Sequence, residues 1–184
     1  MHEFDTIVPV DLGQCLGVLA EAGTEASLIA GGTDLHILMK SGLRMPRLLI
    51  HISRIGELTN ISDSNGRIAI GSAVPHSRLA SFAAGEGIDC LALAAGSIGS
   101  PQIRNMATAG GNIANASPAA DLYPALMVLD ASVVLRNSRR TRKVRLEELV
   151  IGPGETAIEP DEVITELVFE KPDQRCFTGF IKIG

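Results

Sequence analysis

The chain has 184 residues, 46% of them hydrophobic and 20% charged, which is enough apolar side chain for a substantial core and excludes intrinsic disorder. Nineteen Gly and nine Pro without a repeating period exclude collagen-like and solenoid architectures and point to many turns in a mixed α/β chain. With 16 Lys+Arg against 21 Asp+Glu (net charge −5), five Phe, one Tyr and no Trp, no nucleic-acid partner is expected, since such partners need basic surface and stacking rings. Cys15, Cys90 and Cys176 are isolated and form no CxxC pair, so neither a disulfide framework nor a metal or iron–sulfur site is indicated, and a reducing compartment fits best. No apolar run approaches the roughly 18 residues of a membrane span. The opening residues also lack the basic-then-apolar pattern of a secretory signal. The chain is therefore expected to be cytoplasmic with no membrane span, and the sequons at Asn60 and Asn115 are read as chance.

In chain order, Pro9-Val10-Asp11 places an N-cap before Leu12, Leu16, Leu19 and Ala20, predicting a helix of about three turns that stops at Gly23. Ser27–Ala30 reads as a buried strand ending in Gly31-Gly32, after which Thr33-Asp34 cap a helix reaching Gly42. Leu48–Ile50 is the next strand. These elements define a small α/β lobe over residues 1–55. A second lobe, residues 56–184, opens with a hairpin about Asn65-Gly66. Helices follow near 76–83 and 89–97, then a Gly-rich stretch from Gly96 to Gly111, then an apolar helix after Pro118. A hairpin about Asn137-Ser138 and strands at Val163–Phe169 and Phe177–Ile183 close the chain, giving this lobe mainly antiparallel strands. Because Gly184 directly follows an apparent strand, the chain is expected to be a fragment or one whose partner domain is separate.

GxxxxGK[ST], HExxH and GxSxG are all missing, which leaves P-loop, zincin and serine-hydrolase chemistry without a foothold. Gly152-Pro153-Gly154 is a degenerate dinucleotide pattern with Pro at a variable position and no helix to follow, and it reads as a loop between strands. Two glycine pairs stand where a strand or turn feeds a helix: Ala30-Gly31-Gly32-Thr33-Asp34-Leu35 and Thr108-Ala109-Gly110-Gly111-Asn112-Ile113. Glycine allows close backbone approach to a ligand, and successive free amides at such a junction favour a pyrophosphate. Either pair alone is more often an ordinary turn than a ligand cradle. Arg136, Arg139, Arg140, Arg142, Lys143 and Arg145 cluster about the second hairpin and read as a solvated tip, with partner docking as the sharper alternative. His36, His51 and His76 show no metal-ligand spacing.

The stretch Leu28–Leu35, followed by Ala107–Ile113, resembles the FAD-binding (medium) subunit of the molybdenum hydroxylases, the family of xanthine dehydrogenase and carbon monoxide dehydrogenase. The resemblance continues through Ser97–Asn105, Ala116–Leu126 and Thr156–Ile164, nearly the whole chain in order. It implies an α+β fold, a two-lobed FAD-binding domain of the type found in molybdopterin dehydrogenases. It implies FAD as cofactor, with the diphosphate held by the loop Leu28, Ile29, Ala30, Gly31, Gly32, Thr33, Asp34, Leu35, His36 and by Thr108, Ala109, Gly110, Gly111 and Asn112. By the same resemblance Asn115 is a polar neighbour of the cofactor and Asp121 a ribityl or ribose partner. Ile98 and Ile164 line its cavity, and Lys182 stands near the isoalloxazine. The plainer alternatives are that Asp121 simply caps the helix after Pro118, the less favoured reading, and that the two isoleucines are core residues of any fold. Relatives usually continue past the position of Gly184 into a further small α/β domain, absent here. Some also carry a cysteine-rich insertion for an extra iron–sulfur cluster, against which the isolated cysteines argue.

The function implied is electron transfer. Electrons come from a molybdopterin-binding large subunit through a [2Fe–2S] small subunit, reach this FAD, and leave to NAD+, a quinone or another acceptor, so that the chain's task is to orient and tune the flavin. A non-catalytic scaffold subunit with weak or no flavin binding is the alternative of a different class. A nicotinamide-dependent dehydrogenase is disfavoured by the missing GxGxxG.

Overall fold

In a computed structural model that describes residues 3–173 and 175–183, three strands, β1 (Asp5–Ile7), β2 (Ala26–Ile29) and β3 (Leu48–His51), pair in parallel in the order β1-β3-β2. Helix α1 (Leu12–Ala22) covers this sheet. Its start is fixed by Asp11, whose carboxylate accepts from the Gln14 N–H at 2.8 Å while the Gln14 side chain accepts from the Val10 N–H, a reciprocal arrangement like a capping box. Its end is fixed by Gly23 at φ +53°, a conformation glycine adopts without a Cβ penalty. The buried stripe Leu12, Cys15, Leu16, Leu19 follows the 3.6-residue period, each Leu contributing roughly 1.5–3 kcal/mol of burial. It packs on Ile50, Ile52, Ile55 and Leu58, and also on Ala73 and Val163 from the segment that follows, so this core is shared with the rest of the molecule. Burial pushes the Cys15 thiol up to about 11, which leaves it unreactive. The short helix α2 (Leu35–Lys40) joins β2 to β3.

The second sheet has five strands in the order β4-β5-β10-β6-β7, all antiparallel: β4 (Ile61–Ser64), β5 (Arg67–Gly71), β6 (Ser132–Arg136), β7 (Thr141–Arg145) and β10 (Val163–Glu170). Asn65 and Gly66, at φ +55° and +80°, make the tight turn expected of the first hairpin. Central β10 is buried on both faces, as its run Val-Ile-Thr-Glu-Leu-Val-Phe suggests. Its register shifts between Ile164 and Glu166, and the Thr165 carbonyl at this irregularity accepts from the Ser72 N–H at 3.0 Å. Four helices bury side chains in the same apolar core, α3 (His76–Gly85), α4 (Asp89–Ser97), α6 (Ala109–Asn115) and α7 (Leu122–Val128), while α5 (Pro101–Met106) lies beside α3 with no buried residue. Helix α8 (Leu146–Leu149) and the two-stranded β8 (Val150–Gly152) and β9 (Glu155–Thr156) lead into β10. None of the helices among the described residues is long and apolar enough to cross a membrane.

Three expectations change. The Gly-rich stretch holds α5 and the start of α6, capped by Ser100 and Thr108, whose hydroxyls accept from the N–H groups of Ile103 and Gly111. Phe177–Ile183 is not a strand. It is an irregular tail tied down by the Cys90 N–H donating to Thr178 Oγ1 and by Phe180 packing on the core, while Phe177, Ile181 and Ile183 face solvent. Gly184, on which the reading of a fragment turned, lies outside the described residues. The basic hairpin is also not simply solvated: Arg142 makes a two-pronged pair with Glu162 (2.6 and 2.7 Å) whose carboxylate is 1% exposed, Arg140 pairs with Glu159, and Arg145 with Asp130 and Glu147. The Arg142 guanidinium holds the Glu162 carboxyl below the usual carboxylate range, because hydrogen bonding to the charged form outweighs its burial.

Candidate functional site

The two glycine loops meet. Gly31 follows β2, and a Cβ there would overlap the backbone carbonyl of Met106, so only glycine lets the first loop rest on the peptide that leads into Thr108. Gly32 turns the chain at φ +69° into α2. Behind the second loop, Gly110 presses on Ser72 in the same way, with the Gly110 N–H donating to the Ser72 carbonyl and the Ala109 N–H to the Val74 carbonyl. The His76 N–H donates to the Ala107 carbonyl, so the segment from Ser72 to His76 lies along Ala107–Gly110 as a floor.

Above this junction lies an open cleft of about 610 Å³. Its wall includes fifteen of the residues singled out from the sequence: Leu28, Ile29, Ala30, Gly31, Gly32, Thr33, Asp34, Leu35, Ile98, Thr108, Gly111, Asn112, Asn115, Asp121 and Lys182. Four others do not line it. His36 is exposed on α2, Ala109 and Gly110 are buried against the floor, and Ile164 packs in the core beneath the helices. A second cavity of about 650 Å³ adjoins the first and shares six residues with it, Asn112, Asp121 and Lys182 among them, and its remaining wall includes Tyr123, Gly152, Pro153, Phe180 and Ile181.

The two loops differ in what they offer a ligand. The N–H groups of Gly31, Gly32, Thr33, Asp34 and Leu35 have no acceptor among the described residues, leaving a run of free donors where the strand gives way to helix. On the second loop the N–H groups of Ala109, Gly110, Gly111 and Asn112 are already taken by Val74, Ser72 and Thr108. Its contribution is close approach and side chains, not a second row of amides. Asp34 makes no capping bond to α2, its carboxylate accepting only from the neighbouring Thr33 hydroxyl at 3.4 Å. Asp121 and Lys182 pair at 2.6 Å where the two cavities join. Asp121 heads α7 without a side-chain capping bond, so the helix-cap alternative does not account for it.

Two ionisable residues of the wall, Arg44 and His76, are not among the candidates drawn from the sequence. Arg44 brings a cation to the cleft and has no ion-pair partner among the described residues, and nothing in its local sequence marks it. His76 is fully buried, with both ring nitrogens unpartnered, as are Ser72 Oγ and Asn112 Oδ1. Burial lowers the His76 pKa to about 4, so its ring is neutral at neutral pH.

A dinucleotide's diphosphate suits such a site. Glycines let two backbones converge, and a run of unpaired amides among the residues lining a cleft of about 610 Å³ offers donors to an anion. The fold is α+β, a three-stranded parallel sheet and a five-stranded antiparallel sheet with its helices, and the cleft is lined from the segments after β2 and around α6. The family described as the FAD binding domain in molybdopterin dehydrogenase matches residues 2–170, and this chain belongs to it. Among curated relatives, the nicotinate dehydrogenase FAD-subunit of Eubacterium barkeri is 34% identical over 100% of this chain and 64% of its own length. The 6-hydroxypseudooxynicotine dehydrogenase complex subunit alpha of Paenarthrobacter nicotinovorans is 38% identical over 89% of this chain and 56% of its own. A solved carbon monoxide dehydrogenase from Hydrogenophaga pseudoflava superposes with a TM-score of 0.89 at 31% identity, covering 94% of this chain and 60% of that one. The chain thus spans somewhat over half the length of these relatives. Lys182 lies beyond the residues matched by the family.

Proposed function

We propose that this chain is the flavin-carrying part of a molybdenum hydroxylase, an oxidoreductase complex in which a molybdopterin-binding large subunit and a [2Fe–2S] small subunit pass electrons to FAD, and from it to an acceptor such as NAD+ or a quinone. The observation that carries the reading is the run of unpaired amides from Gly31 to Leu35 facing a cleft in a chain of this family. FAD, when bound, supplies the exchange between paired and single electrons that such a chain of centres needs. The protein's residues bind and orient. The Gly31–Leu35 amides hold the diphosphate, each charge-assisted bond contributing roughly 1.5–3 kcal/mol. The Thr108 and Asn112 side chains close on it from the second loop, and Arg44 adds a positive charge at the rim. Ile98 gives an apolar wall, Asp121 accepts from a ribityl or ribose hydroxyl, and Lys182 stands by the ring system. Residues 1–55 and 56–184 act as the two lobes between which the cofactor lies.

Acid release of flavin from the purified chain, with its visible spectrum, tests the reading. One FAD per chain supports it, and copurification with molybdopterin and iron–sulfur chains extends it to the complex. A folded, colourless chain that takes up no added FAD would favour the scaffold alternative.

A further inference from the structure

His76 is the first residue of α3 and is held against the second glycine loop by its own N–H, which donates to the Ala107 carbonyl at 3.0 Å. The residue contributes to the cleft wall, yet it is fully buried and neither Nδ1 nor Nε2 has a partner. Native interiors leave few polar groups unsatisfied, and a ring with both nitrogens orphaned calls for a ligand. The other orphaned atoms among the described residues, Ser72 Oγ and Asn112 Oδ1, belong to the same floor, since Ser72 underlies Gly110 and Asn112 follows Gly111. The second loop has also spent the amides from Ala109 to Asn112 within the fold, so this side of the cleft is short of donors.

We propose that His76 is a further binding residue of the cleft, its imidazole N–H donating to a phosphate oxygen of the bound dinucleotide. The inference rests on the reading of the cleft as the FAD diphosphate site. Held neutral by burial, the ring gives one donor without placing a fixed charge beneath the loop, and its other nitrogen remains an acceptor for a neighbouring hydroxyl or amide. The ring is fully buried, so its contact with a phosphate requires the loop over it to yield as the dinucleotide binds.

The test uses the full chain freed of flavin, titrated with FAD and separately with ADP, which carries the diphosphate without the flavin. His76→Phe weakens both ligands about tenfold to a hundredfold, the loss of one hydrogen bond to a charged group. Its thermal midpoint holds or rises, because an unsatisfied buried ring has been replaced by an apolar one. His76→Gln, which restores an N–H donor, recovers most of the affinity. In wild type labelled with 15N-histidine, ADP shifts the ring nitrogens of His76. The ring spectrum needs no variant and reads the contact even if His76→Phe does not fold. Unchanged FAD and ADP affinity in folded His76→Phe, or ring signals unmoved at saturating ADP, would overturn the proposal. A folded wild type that binds neither ligand would overturn the reading of the cleft itself, and the proposal with it.

Discussion

Gly31 and Gly111 are both glycines at one junction, yet the consequences of substituting them differ. A Cβ at Gly31 meets backbone that cannot move without parting the two loops, so Gly31→Ala disturbs the fold and lowers the thermal midpoint. A Cβ at Gly111 meets only the Thr108 hydroxyl, at 3.0 Å, and Gly111 has ordinary helical backbone. Gly111→Val should therefore keep the fold while its branched side chain fills space the diphosphate needs, dropping bound FAD below about a tenth of wild type. Circular dichroism with flavin release checks both halves of that statement. His76 makes a prediction about acid. Its folded pKa of about 4 lies below the unfolded value of 6.5, so above pH 6.5 it has no effect on the pH slope. Between pH 6.5 and 4 the unfolded chain takes up a proton that the folded one refuses, and stability falls by roughly 3 kcal/mol. Urea unfolding of the flavin-free chain across this window should show that loss, and His76→Phe should remove it.

Among elements, the ion pair between Arg142 of β7 and Glu162, the residue before β10, is the one whose loss is costly. Arg142→Ala takes the two-pronged partner from buried Glu162, leaving Arg140 at 3.8 Å, and should cost about 3–5 kcal/mol, whereas Arg140→Ala, which loses a half-exposed pair with Glu159 and only that longer contact with Glu162, should cost about 1 kcal/mol. Because the Glu162 carboxyl is held below its ordinary 4.5, its contribution is present above that pH and is lost as the pH falls through the lower folded value, a window below most of that of His76. Chemical denaturation of both variants at neutral pH, and of wild type between pH 5 and 2, tests the ranking and the sign. The elements themselves differed in legibility. Asp11, Gly23 and Asn65-Gly66 carry their conformations in their own side chains or lack of them, and the predicted helix and hairpin appear there. Helices α5 and α6 were obscured by glycines, although Ser100-Pro101 and Thr108 are cap signals in plain view. Phe177–Ile183 has the composition of a strand but pairs with no neighbour, and composition alone cannot supply a ladder.

For the molecule as a whole, the sequence exposes the glycine loops because their backbone demands are local, and it hides His76 and Arg44 because burial and convergence depend on distant segments. Nor does it reveal that one loop's amides are free and the other's are spent, which depends on the Ser72–His76 floor. Lys182 and Asp121 were singled out separately and form a pair, so Lys182→Met would replace a neutral pair by a lone carboxylate at the junction of the cavities. An unpaired anion near the ring disfavours its reduced, more negative form, and the flavin midpoint should fall by on the order of tens of millivolts with little change in affinity. A dye-equilibrated reductive titration reads this shift. The central claim, that the cleft above the two loops holds the dinucleotide, is tested most directly by titrating flavin-free wild type and Gly111→Val with FAD and following flavin fluorescence. Wild type should saturate at one FAD per chain and folded Gly111→Val should show no saturable binding; equal stoichiometry and affinity in the two proteins would place the dinucleotide elsewhere.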